Sequence, residues 1–201
     1  MQRVRSGPRR GGRSTASPCA SGCPDTGRAP GAHDAGRAPG APLDLDARVP
    51  TFYVVRHAKA GSRGHWTGDD RNRPLSKKGV KQAQELVSTL QAFPITAIFT
   101  SPFLRCVQTV EPLAQARHIA PQPTASLAEG HGLTGAMQFL GDPRLDQAVL
   151  STHGDIVWEL VEELVRRHVV KAGMGGLEKG STWVVEIEDG APVRARFIPA
   201  A

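Results

Sequence analysis

The stretch TFYVVRHAKAG, residues 51–61, decides how the rest of the chain is interpreted. Its first five residues are strand-forming and mostly apolar, and such a short run predicts a buried β-strand over 51–55. Arg56 and His57 follow directly, at the point where that strand ends. Because ligands bind outside the carboxyl ends of the strands in parallel sheets, the residues that follow the other strands indicate whether a site lies there.

Helix and strand patterns alternate along the chain after residue 75. The predicted order is helix 76–93, strand 95–101, helix 102–116, a short strand 122–127, helix 133–141, strand 148–152, helix 153–170 and a strand hairpin over 181–199. This alternation predicts an α/β domain, a three-layer sandwich in which helices flank a mostly parallel central sheet. Pro112 lies inside a predicted helix and removes a hydrogen bond there, so we expect a kink or an early end near Glu111.

Apolar residues at helical spacing predict which faces are buried. In the first helix the spacing points to Val80, Ala83, Val87 and Leu90. We also expect Trp158 and Trp183 to anchor the core, because large aromatic side chains are buried more often than they are exposed.

The first fifty residues differ in composition from the rest. They hold 7 of the 16 prolines, 8 of the 22 glycines and no aromatic residue, and they contain the repeat GRAPGAHDA, GRAPGAPLD from Gly27. A segment with so little to bury cannot offset the entropy of ordering it. We therefore predict a disordered low-complexity tail over 1–49 and one folded domain over 50–201.

The tail also carries most of the net charge. Eight arginines against four aspartates give it +4, whereas residues 51–201 have 17 basic and 15 acidic residues. These arginines are interleaved with proline and glycine and have no aromatic partners for base stacking, so nucleic acid is not an expected partner.

Targeting signals and cysteine usage indicate a cytoplasmic protein. The first fifty residues contain no apolar core of the kind that secretory leaders have, and no run approaches the roughly 18 apolar residues of a membrane span. Cys19 and Cys23 form an isolated C-x3-C pair, which is a poor zinc motif, and Cys106 is expected to be a small buried apolar residue. We expect no membrane association and no metal or other cofactor.

The other strand ends carry residues that match Arg56 and His57. Arg105 lies in the first turn after the second strand, and His153 follows the strand at 148–152. Arginine can grip two phosphate oxygens at once, and a neutral imidazole is a nucleophile. The pattern predicts a phosphate pocket in which His57 attacks a phosphoryl group held by Arg56, Arg105 and His153.

A leaving alcohol or amide needs a proton, and the sequence offers several donors. Glu129, in SLAEGHG, is the best placed, with His131 and Asp155 as alternatives. Three polar residues of the long loop after the first strand could touch substrate, namely Lys59, Ser62 and Arg73, but we expect them to face solvent and do not assign them to the site.

Five motifs, VVRHAKAG, RPLSKKGVKQA, IFTSPFLRCVQT, LAEG and STHGD, occur in an order that resembles the histidine phosphatase superfamily. The resemblance spans residues 52–198 and implies a phosphoglycerate mutase-like fold. It also implies that His57 is the phosphorylated nucleophile, that Arg56, Arg105 and His153 complete the pocket, and that Glu129 is the proton donor.

The details resemble the smaller members of that superfamily, the phosphohistidine phosphatases. Ala58 replaces the usual glycine of the first motif, and little sequence separates Arg105 from His153. The stretch RHAKAGSRGHWTGDDRNRPLSKKG, with KGSTWVV later, resembles the phosphatase domain that follows a Nudix hydrolase in some actinobacterial proteins.

These observations predict a metal-independent phosphatase of phosphomonoesters or phosphoramidates. Its substrate would be a phosphohistidine protein, a nucleotide or a small phosphomonoester. The alternatives are a phosphoglycerate-type mutase, and a non-catalytic binder of phosphorylated ligands or nucleic acid that uses the basic tail.

Overall fold

The computed structural model describes residues 48–200, and their centre is a six-stranded mixed sheet. The strands are β1 Thr51–Arg56, β2 Ala97–Thr100, β3 Gln122–Pro123, β4 Ala148–Thr152, β5 Thr182–Glu188 and β6 Ala191–Ile198. Their order across the sheet is β3-β2-β4-β1-β5-β6. The first four strands run parallel, whereas β5 and β6 are each antiparallel to the preceding strand in this order.

Two layers of helices cover the sheet. The helices are α1 Lys77–Thr89, α2 Leu104–Arg117, α3 Gly132–Leu140 and α4 Gly154–Arg166, with single 3-10 turns at Arg63–His65, Asp70–Asn72, Ala125–Leu127 and Pro143–Leu145. Tyr53 and Val55 of β1 pack with α1 and α2 on one face of the sheet. Phe52 and Val54, which point to the opposite face because strand side chains alternate, pack with α3 and α4. The predicted three-layer α/β architecture is confirmed.

The predicted early end of the second helix is wrong. α2 continues through Pro112 to Arg117. The lost main-chain hydrogen bond costs about 3 kcal/mol, but Val110, Leu113 and Ala114 are all buried against the sheet. Burying side chains of this size contributes about 1.5–3 kcal/mol for each large one, which is enough to hold the helix together across the proline.

Two predictions of buried side chains are also wrong. Val80 is 47% exposed, because α1 instead buries the neighbouring Gly79 and Gln82 together with Ala83. Trp158 is 53% exposed on α4, whereas Trp183 is buried as predicted and donates its indole N–H to the carbonyl of Gly176. Cys106 is buried, also as predicted.

β1 begins at Thr51, and the domain boundary predicted at residue 50 stays a prediction. The predicted tail over 1–49 lies outside the described residues except for its last two positions, and it stays a prediction. None of the helices in the described part of the chain is long and apolar enough to cross a membrane.

Candidate active site

A cavity of about 590 Å³ opens where β1 and β4 end and β5 begins. All five residues selected from the sequence line it: Arg56, His57, Arg105, Glu129 and His153. Of the alternative proton donors, Asp155 also lines the cavity, whereas His131 is exposed outside it. The structure therefore brings the predicted residues together, and their roles remain predictions.

The main chain that carries Arg56 and His57 is held by hydrogen bonds on both sides. The Arg56 N–H donates to the carbonyl of Ser181 (3.0 Å), and the His57 N–H donates to the carbonyl of Thr152 (2.9 Å). One residue further, the Ala58 N–H donates to Thr109 Oγ1 (2.9 Å). Neighbours on β4, α2 and the segment before β5 thus fix the position of His57.

His57 is 6% exposed, and its surroundings determine which ring nitrogen can react. Nδ1 lies 2.8 Å from the carbonyl oxygen of Ala58, which can only accept, so Nδ1 carries the proton in the neutral ring. Nε2 makes no hydrogen bond to any residue of 48–200 and keeps its lone pair. Burial is the main reason that the pKa of His57 is lowered to about 3. The hydrogen bond to the Ala58 carbonyl raises this pKa, whereas the nearby His153, Arg105 and Arg56 lower it further.

His153 lies beside His57, with 5.4 Å between the ring centroids. Its Nε2 is 2.7 Å from Ser101 Oγ, and its Nδ1 is 3.3 Å from Arg105 Nη2. Burial and, next, the Arg105 guanidinium lower the pKa of His153 to about 4. Both imidazoles are therefore neutral near pH 7.

Arg105 is 1% exposed and connects the walls of the cavity. Nη1 donates to the carbonyl (2.8 Å) and to Oδ2 (3.0 Å) of Asp70, and Nη2 donates to Glu129 Oε2 (2.7 Å). The guanidinium carbon lies 4.5 Å from the ring centroid of Phe103, which is within cation–π range. Nε is buried without a partner among the described residues.

Arg56 lies over the start of α4, where the chain has a glycine. One guanidinium nitrogen donates to the carbonyl of Leu177, and Nε is buried with no partner in the described part of the chain. A Cβ on Gly154 would lie 2.5 Å from Arg56 Nη2, so a side chain there would displace the guanidinium. Burial lowers the pKa of Arg56, whereas the charges of Asp155 and Glu178 raise it.

The two carboxylates of the cavity have different partners. The Glu129 side chain is 40% exposed, and besides Arg105 it accepts from Arg63 Nη2, with both oxygens at 3.3 Å. Asp155 Oδ2 accepts from the Gly130 N–H (2.7 Å). Its Oδ1 is buried with no partner among residues 48–200.

Arg73 lines the cavity and Asp70 binds Arg105, and neither was selected as a site residue from the sequence. Asp70 accepts from Arg73, Arg63 and Arg105, and these three guanidinium groups, Arg73 foremost, hold the pKa of its carboxyl well below its usual range. Arg73 is 6% exposed and also donates to the carbonyl of Gly61 (2.7 Å), so the prediction that it faces solvent is wrong. Neither helical nor strand periodicity could place these residues, because the loop that carries them has none.

Lys179 was also missed, and the topology explains why it reaches the cavity. β5 is antiparallel to β1, so β5 begins at the edge of the sheet where β1 ends. Residues immediately before β5 are therefore neighbours of Arg56 and His57. The predicted terminal hairpin indicates this placement, because its two strands are antiparallel and one of them must begin at the edge of the sheet where β1 ends.

Comparisons with known proteins show what this chain is similar to. Residues 52–138 match the model described as the histidine phosphatase superfamily, branch 1. The chain is 38% identical over 155 residues to the 8-oxo-(d)GTP phosphatase of Mycolicibacterium smegmatis. That match covers 74% of this chain and 48% of the relative, so the chain spans about half the length of that protein.

Solved structures share the fold at low sequence identity. A protein from Agrobacterium tumefaciens, assigned as the phosphohistidine phosphatase SixA, superposes with a TM-score of 0.64 at 16% identity. The superposition covers 77% of this chain and 100% of the Agrobacterium chain. A protein from Nakamurella multipartitia with the same assignment gives 0.57 at 20% identity, over 75% of this chain and 96% of its own. These likenesses agree with the fold predicted from the sequence.

Proposed function

We propose that the chain, whose residues 52–138 match the histidine phosphatase superfamily, is a phosphatase of that superfamily and works through a phosphohistidine on His57. The substrate is a phosphomonoester or phosphoramidate, and the reaction needs no metal ion. The observation that carries the proposal is the unprotonated Nε2 of His57 in a cavity lined by Arg56 and Arg105.

The first step transfers the phosphoryl group to the enzyme. The Nε2 lone pair of His57 attacks phosphorus, an N–P bond forms, and the bond from phosphorus to the leaving atom breaks. Arg56, Arg105 and His153 lie where they can bind the equatorial oxygens as charge develops on them. Fixed guanidinium groups thereby supply the positive charge that the transition state requires.

The second step releases phosphate. Water attacks the phosphorus of phospho-His57, the N–P bond breaks, and its electron pair returns to Nε2. The water proton passes to the released phosphate or to solvent. His57 is then again the neutral imidazole found in the resting structure.

A leaving alcohol needs a proton in the first step, and Glu129 is the proposed donor. In the resting site its oxygens accept from Arg105 and Arg63. A phosphoryl group that takes the place of Glu129 on Arg105 would free the carboxyl group to carry a proton next to the anion. Asp155, with one buried oxygen unpartnered in the described residues, is the alternative donor.

Phosphate release in EDTA tests the proposal. The substrates are a phosphohistidine protein, a nucleotide and phenyl phosphate, and the variants are His57→Ala and, as the matched control, His65→Ala, which replaces an exposed histidine outside the cavity. We expect activity on at least one substrate, its loss in His57→Ala, and its retention in the control. Activity that needs a metal ion, or that survives His57→Ala, would overturn the mechanism.

A trapped intermediate provides a second measurement. Quenching during turnover should leave phosphate on the wild-type chain in an acid-labile, alkali-stable form, and on Nε2 rather than Nδ1 when the ring is examined by NMR. Binding of phosphorylated ligands without any phosphate release would instead indicate a non-catalytic binder.

A further inference from the structure

Two lysines of the cavity have no anionic partner. Lys59 and Lys179 line it together with the proposed catalytic residues. No ion pair joins either ammonium group to a carboxylate of residues 48–200, whereas Arg63, Arg73 and Arg105 all pair with Asp70, Glu129 or both. The lysines therefore leave positive charge in the cavity that the protein itself does not balance.

A buried glutamine fixes the positions from which the two lysines extend. Gln82 of α1 is 9% exposed, its Oε1 accepts from the Lys59 N–H (3.0 Å), and its Nε2 donates to the Lys179 carbonyl (3.0 Å). One side chain thus ties together two segments that are far apart in sequence. It holds both lysines at one side of the cavity.

The lysines and the arginines act on one another through the cavity. Burial lowers the pKa of Lys179, and the charges of Arg56, Arg73, Lys59 and Arg105 lower it further. Like charges that repel in the resting state bind an anion more tightly, because the anion relieves that repulsion.

The proposed proton donor provides an independent observation. Glu129 accepts hydrogen bonds from two guanidinium groups in the resting site, so both of its oxygens are engaged as acceptors until substrate displaces them. An alkoxide leaving group is a strong base and needs a proton from a donor in order to depart. A phosphate leaving group, with a second pKa of about 6, departs as an anion near pH 7 without one.

We propose that Lys59 and Lys179 form a subsite for a second phosphoryl group, so that the preferred substrates are phosphoanhydrides such as nucleoside diphosphates. This inference rests on the proposed function. His57 Nε2 attacks the terminal phosphorus, the bond from that phosphorus to the bridging oxygen breaks, and the bridging oxygen leaves as part of a nucleoside monophosphate anion. Water then hydrolyses phospho-His57 to orthophosphate.

Kinetics on two substrates test the subsite. ADP carries the second phosphoryl group and phenyl phosphate lacks it. We expect kcat/KM to be at least about tenfold higher for ADP, as one charge-assisted contact allows, and the ratio to fall about tenfold or more in Lys59→Gln/Lys179→Gln. Lys171→Gln, an exposed lysine outside the cavity, should leave the ratio unchanged.

Binding without turnover separates the two proposals. In the His57→Ala protein, at fixed ionic strength, titration calorimetry should show pyrophosphate binding about tenfold more tightly than orthophosphate, with this preference lost when both lysines are replaced. Equal binding of the two ions, or a preference that survives the replacement, would disprove the subsite. Hydrolysis that survives in His57→Ala would instead refute the proposed function, while the calorimetry would still decide whether the subsite exists.

Discussion

The two neutral histidines should make the protein less stable in mild acid. An imidazole in the unfolded chain has a pKa of about 6.5, whereas the pKa of His57 is about 3 and that of His153 about 4 in the folded protein. As the pH falls below 6.5, the unfolded state binds protons that the folded state does not. The stabilisation is complete above pH 6.5 and is lost progressively down to about pH 3–4.

The size of the effect follows from the gap between pH and pKa. A pH of 5.0 lies about 1.5 units below the ordinary pKa of an imidazole in the unfolded chain. This gap lowers the free energy of unfolding by about 2 kcal/mol for each histidine. Both together remove about 4 kcal/mol between pH 7.5 and pH 5.0, out of the roughly 5–15 kcal/mol that stabilise a typical domain. Asp70, whose pKa is lowered from 3.8, contributes to acid sensitivity only below this window.

Urea denaturation at the two pH values, followed by the fluorescence of the buried Trp183 at constant ionic strength, measures this loss. The wild type should lose about 4 kcal/mol of unfolding free energy and His57→Asn about 2 kcal/mol. The difference between the two proteins cancels contributions from other groups. His153→Gln should show the same loss as His57→Asn, and it replaces His57→Asn in this experiment if that variant does not fold. An equal loss in wild type and variant would refute the assignment of buried neutral histidines.

Three further changes have defined outcomes. Gly154→Ala displaces the Arg56 guanidinium. In the phosphate-release assay it should lower kcat/KM about tenfold or more, as expected when a charge-assisted contact is lost. The control Gly64→Ala should have no effect in that assay, because a Cβ there meets only a hydroxyl at 4.0 Å. Gly79→Ala overlaps a main-chain carbonyl oxygen, so urea denaturation should show a loss of about 1–3 kcal/mol, although alanine favours helix by about 1 kcal/mol. Glu129→Gln should reduce the hydrolysis of phenyl phosphate by about 10²–10⁴ and that of 4-nitrophenyl phosphate by less, because nitrophenolate leaves without a proton; equal losses would remove Glu129 as the donor.

Short apolar runs made the sheet predictable, whereas burial on the helices was less so. A parallel strand buried on both faces, such as β4, is buried at every position, so its short apolar run identifies it without an alternating pattern. On α1, however, the polar Gln82 is buried and the apolar Val80 is exposed. That exchange occurs because Gln82 satisfies main-chain groups on two loops. Helical periodicity contains no information about such long-range partners.

The site was predictable where a residue directly follows a strand. Arg56 is the last residue of β1, His57 and His153 directly follow β1 and β4, and Arg105 lies in the first turn of α2. Asp70 and Lys179 lie outside the main helices and strands, and only the fold brings Asp70 to Arg105 and Lys179 to the cavity. Side chains on loops are placed by hydrogen bonds to distant parts of the chain, which a local pattern cannot show.

The cations of this cavity affect the nucleophile as well as the substrate. An anion that binds beside an imidazole favours the protonated ring, and a protonated ring has no lone pair with which to attack phosphorus. A site that binds a phosphoryl group next to His57 therefore needs enough positive charge to offset the anion at that ring. Burial, with Arg105 and Arg56, already lowers the pKa of His57 to about 3 in the resting protein. That margin of more than three units below neutrality, due mainly to burial and in smaller part to the arginines that would bind the phosphoryl group, would allow His57, the proposed nucleophile, to remain neutral while the anion is bound.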